Sequence, residues 1–149
     1  LLNLGPRVTT VDDQIATRLD KAMTSLKAAH GPGFTAQMDN ICYGLANLPP
    51  LIPIPVLARA ASLDPAAIKS LASDLGRALW ASDDSVQFRD EPTETWFLSR
   101  YRADPARIAS YAAGLAPLDE EFTYVAKALP RLWHRAGDYD RLIQLALSD

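Results

Sequence analysis

The stretch that decides the fold runs from Ser62 to Phe97, SLDPAAIKSLASDLGRALWASDDSVQFRDEPTETWF. Asp64 before Pro65 is a helix start: the carboxylate accepts from free first-turn amides, and the fixed φ of proline suits the first helical position. Ile68, Leu71, Ala72, Leu75 and Leu79 follow at spacings of three and four, which sets them on one apolar face. Gly76 weakens that helix near its end. The period then changes. Leu79 and Ala81, and after Ser82-Asp83-Asp84-Ser85 the pair Val86 and Phe88, alternate as strand residues do. A short helix, a second helix and a small hairpin, in that order, predict a winged helix-turn-helix. Its expected core anchors are Ile68, Leu71, Leu75, Phe88, Trp96 and Phe97.

Upstream, Thr10 with Asp13 resembles a capping box with aspartate in place of glutamate. Val11, Ile15, Leu19, Ala22, Leu26 and Ala29 mark an amphipathic helix that stops at Gly31-Pro32-Gly33. Asp12, Arg18, Lys21 and Lys27 form its solvated face. A second helix spans about Thr35 to Leu48, with Met38, Ile41, Cys42 and Leu45 inward. The run Pro49-Pro50-Leu51-Ile52-Pro53-Ile54-Pro55 cannot be helical throughout, because each proline removes an amide donor and pushes its predecessor toward extended geometry. Its apolar content makes it a rigid connector packed on the core, with a PxxP ligand for a peptide-binding domain as the alternative. A short helix with Val56, Leu57, Ala60 and Ala61 follows.

Downstream, Glu91-Pro92-Thr93 starts a helix with Glu94 in its first turn and Trp96, Phe97 and Tyr101 as bulky side chains. Asp104-Pro105 repeats the cap of Asp64-Pro65 and opens a helix with Ile108, Tyr111, Ala112 and Leu115. Asp119 is expected to cap the next, with Phe122, Val125, Ala126 and Leu129. Pro130 kinks or ends it, and Leu132 and Trp133 continue to Gly137. A last helix runs from Asp138 through Tyr139, Leu142, Ile143 and Ala146. The fold class is therefore mainly α: a lead-in helix over 1–33, a winged-helix domain over 34–102 and an all-helical arm over 103–149. Ala136 to Leu142 is similar to the junctions of helical-repeat arrays, so the arm reads as the start of a solenoid.

The bulk numbers narrow the function. The chain has 149 residues, 48% apolar and 22% charged, ordinary values for a globular domain. The formal net charge of −3 supplies no basic field for nucleic acid or anionic lipid. No apolar run reaches the roughly 20 residues a bilayer requires. The single cysteine, Cys42, excludes an internal disulfide, fits a reducing, cytoplasmic setting, and sits among Met38, Ile41, Leu45 and Ala46 as a small core residue. The chain opens on Leu1 without a methionine or a signal peptide and closes inside a helical pattern, so an excised piece of a longer protein is expected.

No catalytic set stands out. Gly31-Pro32-Gly33 lacks the Gly-Lys-Ser/Thr ending of a phosphate loop. His30 and His134 have no second cysteine or histidine at ligand spacing, so no metal is expected. Asp119-Glu120-Glu121 and Asp90-Glu91 read as first-turn carboxylates favoured by the helix dipole. DNA binding by the would-be reading helix has only Lys69 and Arg77 to rest on, opposed by Asp64 and Asp74. The wing tip adds Asp83 and Asp84, and Asp90, Glu91 and Glu94 follow. That is the wrong sign for a phosphate backbone.

Val86-Gln87-Phe88-Arg89-Asp90-Glu91-Pro92-Thr93-Glu94-Thr95-Trp96-Phe97, with Ala128-Leu129-Pro130-Arg131-Leu132-Trp133 and the junction from Ala136 to Leu147, resembles bacterial signal-transducing NTPases of the STAND class, relatives of NACHT and NB-ARC proteins. The resemblance implies a segment following a P-loop NTPase core: a winged helix, then the first helices of a sensor array. It implies a winged helix that folds over bound ADP and keeps the protein closed, with release and homo-oligomerisation on ATP exchange. The implied partner is the upstream NTPase domain of the same polypeptide; ATP or ADP would belong to that domain, and no cofactor to this chain. In the class a histidine near the wing's end reads the nucleotide phosphate. The matching Phe88-Arg89-Asp90 has none, leaving Arg89 or Asp90 in that place. A guanidinium suits phosphate oxygens. Asp90 could not bind them directly, and Arg89 has the plainer reading of a surface partner for Asp90 or Glu91. A DNA-binding regulator and a plain protein-interaction module are the other readings.

Overall fold

Three helices begin where an aspartate precedes a proline-bearing first turn. Asp64 accepts from the Ala66 amide at 2.9 Å, Asp90 from Thr93 at 2.9 Å and Asp104 from Arg107 at 2.9 Å. The computed structural model describes residues 11–31, 33–102 and 104–147. They form α1 (Val11–His30), α2 (Phe34–Asn47), β1 (Ile52–Pro53), α3 (Ile54–Ala61), α4 (Pro65–Leu75), β2 (Leu79–Ala81), β3 (Ser85–Phe88), α5 (Glu91–Arg100), α6 (Pro105–Leu115), α7 (Thr123–Ala136) and α8 (Tyr139–Leu147). The fold is mainly helical with one small three-stranded antiparallel sheet. Thr10 and Pro32 lie outside the described residues, and with them the expected capping box and the middle of the helix stop at Gly31 to Gly33.

The apolar spacing in α1 does what it promised up to Leu26. Ile15, Leu19, Ala22 and Leu26 are buried against α4, α2 and α5, whereas Ala29 is exposed. Asp12, Arg18, Lys21 and Lys27 face solvent. In α4, Ile68, Leu71, Ala72 and Leu75 are buried as expected. The helix stops at Leu75, since Gly76 takes φ 61° and a 3-10 turn over Gly76–Ala78 follows. Leu79 therefore belongs to β2 alone and not to the helix face.

The proline-rich connector does more than connect. Ile52 pairs with Val86 and Pro53 with Ser85, so β1 adds a third strand in the order β1-β3-β2. Proline is tolerated there because β1 lies at a sheet edge. The connector's length hid this: two residues are too short to show alternation. Leu79, Val86 and Ile52 turn into the core.

Two expected core anchors are only partly buried: Phe88 and Trp96 lean on the fully buried Phe97, with ring centroids 4.9 and 5.1 Å away. Phe88 ends β3 and Trp96 lies on α5, with the Arg100 guanidinium over the Trp96 ring at 5.9 Å. Helix α5 starts at Glu91 as expected, with Asp90 as its cap, whereas Asp119 caps no helix among the described residues. Ala116–Leu118 forms a 3-10 turn, and α7 begins after Phe122, which supplies no side-chain cap. Its helix face comprises Val125, Ala128, Leu129 and Leu132, with Phe122 partly buried and Ala126 exposed. Pro130 does not end α7, which continues to Ala136 and closes at Gly137 with φ 73°. Only one internal hydrogen bond is lost at a proline, and the neighbouring Leu129 and Leu132 hold the helix on α6.

Buried residues from α1 to α7 form one continuous apolar cluster. The arm helices α6 and α7 are tied to the earlier helices by polar bonds as well. Arg107 pairs with Asp39, Arg59 with Glu121, and the Tyr124 hydroxyl donates to the Pro49 carbonyl. Deepest is Asn47: its amide donates to the carbonyls of Tyr43 and Tyr101 at 3.0 Å each. Arg135 donates to its backbone and side-chain oxygens at 2.8 Å each. Helix α8 buries no residue.

Candidate functional site

Period-two alternation has a second consequence at the sheet. With Leu79 and Val86 inward, Trp80 and its partner Gln87 must point the other way. Trp80 is 60% exposed, and Leu51, just before β1, is 59% exposed. Both line a shallow groove of about 70 Å³ with Ser82, Ser85 and Gln87. Leu51 has φ 61°, a left-handed backbone that costs a leucine conformational energy. A strained backbone thus sets a large apolar side chain into water beside an exposed tryptophan.

The hairpin tip is held firmly. The Ser82 amide donates to the Ser85 carbonyl at 2.9 Å, the two hydroxyls lie 2.9 Å apart, and the Ile54 amide donates to the Asp84 carbonyl at 2.8 Å. The side chains of Asp83 and Asp84 stay exposed on this fixed turn. The surface combines an apolar platform with a rigid acidic corner.

Arg89 and Asp90 adjoin the opposite end of β3. The Arg89 amide donates to the Ala78 carbonyl at 3.1 Å and its side chain is exposed. Among the described residues it makes no ion pair, so the expected pairing with Asp90 or Glu91 is not formed. Asp90 is the α5 cap: the Thr93 backbone and hydroxyl hold its carboxyl below the usual range, with the Arg89 charge a lesser contribution. Both residues line an open depression of about 550 Å³ with Glu91, Glu94, Thr95 and Leu98. One guanidinium faces three carboxylates there. Such a surface does not retain a polyanion by itself, and phosphate contact by Arg89 needs further cations from elsewhere.

The exposed residues of α4 include Lys69 and Asp74, opposite charges on one helix; the side chain of Arg77 lies outside the described set. Cys42 is fully buried, and burial pushes its thiol up to about 12. Among the described residues no group of three histidine, cysteine or acidic side chains could hold a metal, and no helix is long and apolar enough to cross a membrane. No protein-family profile matches the chain, and no curated protein is found to be similar to it. Sequence reading passed over Trp80 and expected Leu51 to pack on the core with the rest of its connector, whereas it is exposed. For Trp80 the signal was present, since it sits between two residues assigned to one strand face; for Leu51 there was none.

Proposed function

We propose that this chain is a non-catalytic regulatory segment of a signal-transducing ATPase, with a winged-helix module at α2 to β3 that docks on the NTPase domain of its own polypeptide. The connectivity helix, strand, helix, helix, strand, strand, with the first strand paired to the last, supports the winged-helix reading. The observation that carries the docking is the outer sheet face: Trp80 and Leu51 exposed side by side beside the fixed Asp83-Asp84 corner. Large apolar groups flanked by charge mark protein contact surfaces. In the closed state this face presses on the nucleotide-loaded core, and its release permits self-association.

The test uses the whole reading frame. A P-loop must be encoded upstream. In the purified protein, Trp80→Ser should speed ADP release and raise the oligomer fraction seen by light scattering. An unchanged ADP release rate, or a reading frame without a P-loop, would rule the reading out. The alternative of a DNA-binding regulator shares the same helix and strand order. A low-salt gel shift separates the two: tight duplex binding that weakens steeply with salt belongs to the regulator.

A further inference from the structure

The two edges of the sheet are built differently. On one side the Ile54 amide donates to the Asp84 carbonyl at 2.8 Å, and Ile52 stands opposite Val86. Bonded pairs in an antiparallel ladder recur at every second residue, so Pro53, opposite Ser85, turns its backbone away from β3. The outward position that would carry a free donor holds a proline, which has none.

On the other side the Ser82 amide donates to the Ser85 carbonyl at 2.9 Å and the Arg89 amide to the Ala78 carbonyl at 3.1 Å. The same alternation makes Trp80 and Gln87 the bonded pair between them. Ala81, opposite Val86, therefore turns its amide and carbonyl to the free side of β2. Ala81 is exposed, and β2 has no second strand neighbour among the described residues. A donor and an acceptor thus stand open beside Trp80, on the edge that no proline blunts.

Side chains decide what covers them. A strand added antiparallel to β2 pairs one residue with Ala81 and sets its two neighbours opposite Trp80 and Ser82, on the outer face. Trp80 is 60% exposed there, so a β-branched residue suits the place beside it. Ser82 leads into the Asp83-Asp84 turn, whose exposed carboxylates pair with no described cation, so a basic residue suits the place beside Ser82. Leu79-Trp80-Ala81 lacks that order of side chains, which disfavours pairing with a second copy of itself.

We propose that the open edge of β2 takes up an extended peptide segment as an added antiparallel strand, in the order basic residue, any residue, β-branched residue. This rests on the docking reading above for the role of the sheet face, and it names the segment of the partner that docks.

The probe is acetyl-Thr-Arg-Thr-Val-Thr-amide, titrated into the 149-residue chain and followed through NMR shifts. Saturable binding at about 1 mM is expected, with the largest shifts at the amides of Ala81 and Ser82 and at the Trp80 indole. Methylating the nitrogen of the central threonine removes the donor to the Ala81 carbonyl and should weaken binding about fivefold or more. Glutamate in place of the arginine should weaken it about threefold to tenfold. Trp80→Ser should weaken it about threefold and leave urea stability unaltered, since the ring is exposed. Absence of saturation, equal binding of the N-methyl peptide, or self-association of the free chain through these same amides would each overturn the strand. ADP release from the whole protein reads the docking separately: peptide binding with ADP release unchanged by Trp80→Ser refutes the ATPase reading alone, whereas altered ADP release without peptide binding refutes the strand alone.

Discussion

Asn47→Ala is the change that reaches furthest into this fold. The side chain is 5% exposed and makes three hydrogen bonds: two donated to the Tyr43 and Tyr101 carbonyls and one accepted from Arg135. Each contributes about 1 kcal/mol net, and the bond to the guanidinium somewhat more. Against that, alanine at a helical position recovers about 0.6 kcal/mol of propensity. A loss of about 2–3 kcal/mol should result, read as a lower urea midpoint at unchanged slope. Arg135→Met should cost only about 1 kcal/mol, because Arg135 is partly solvated. If Arg135 acts through Asn47, the double variant falls short of the sum of the single effects by about 1 kcal/mol. A loss below about 0.5 kcal/mol for Asn47→Ala, or strict additivity with Arg135→Met, would refute the idea that this asparagine clasps the arm to α2 and the end of α5.

Three other changes test separate parts of the molecule. Gly44→Ala should destabilise by about 1 kcal/mol despite the usual helical gain from alanine, since the new Cβ would overlap the Tyr111 hydroxyl and lie 2.8 Å from Leu57 Cδ2; a stabilised variant in thermal melts would contradict this packing. Leu75→Ala removes a side chain with no exposure and should cost about 2–5 kcal/mol in urea; a change under about 0.5 kcal/mol would place α4 in another register. Asp90→Ala should lose about 1 kcal/mol as a helix cap. Because the folded carboxyl titrates below its ordinary value, that contribution is complete above the ordinary carboxylate range and fades as pH falls through the lowered value. The difference between parent and Asp90→Ala should therefore shrink in acid, and a difference that grew in acid would assign the wrong sign.

Much of this architecture is legible from local chemistry. Asp64-Pro65 and Asp104-Pro105 announce helix starts, because a cap needs only its own next few amides. Ile68, Leu71 and Leu75 announce their buried face, and Val86 and Phe88 their strand, because period alone sets the direction of a side chain. Where a signal depended on neighbours, it misled: Asp119 looked like a cap, but the Ala116–Leu118 turn moved the start of α7 past it. Pro130 reads locally as a kink or a stop, but α7 runs through it to Ala136, with Leu129 and Leu132 buried on either side.

The chain alone thus determined its helices, its hairpin, its acidic hairpin tip and its shortage of basic charge, all properties of residues close together in sequence. Only the tertiary structure decided that Ile52-Pro53 joins the sheet, that Trp80 and Leu51 share an exposed face, and that Arg135 reaches Asn47. These juxtapositions bring together residues from distant turns of the chain. They arise from how whole apolar faces pack against one another, and no local spacing encodes which polar groups such packing leaves side by side.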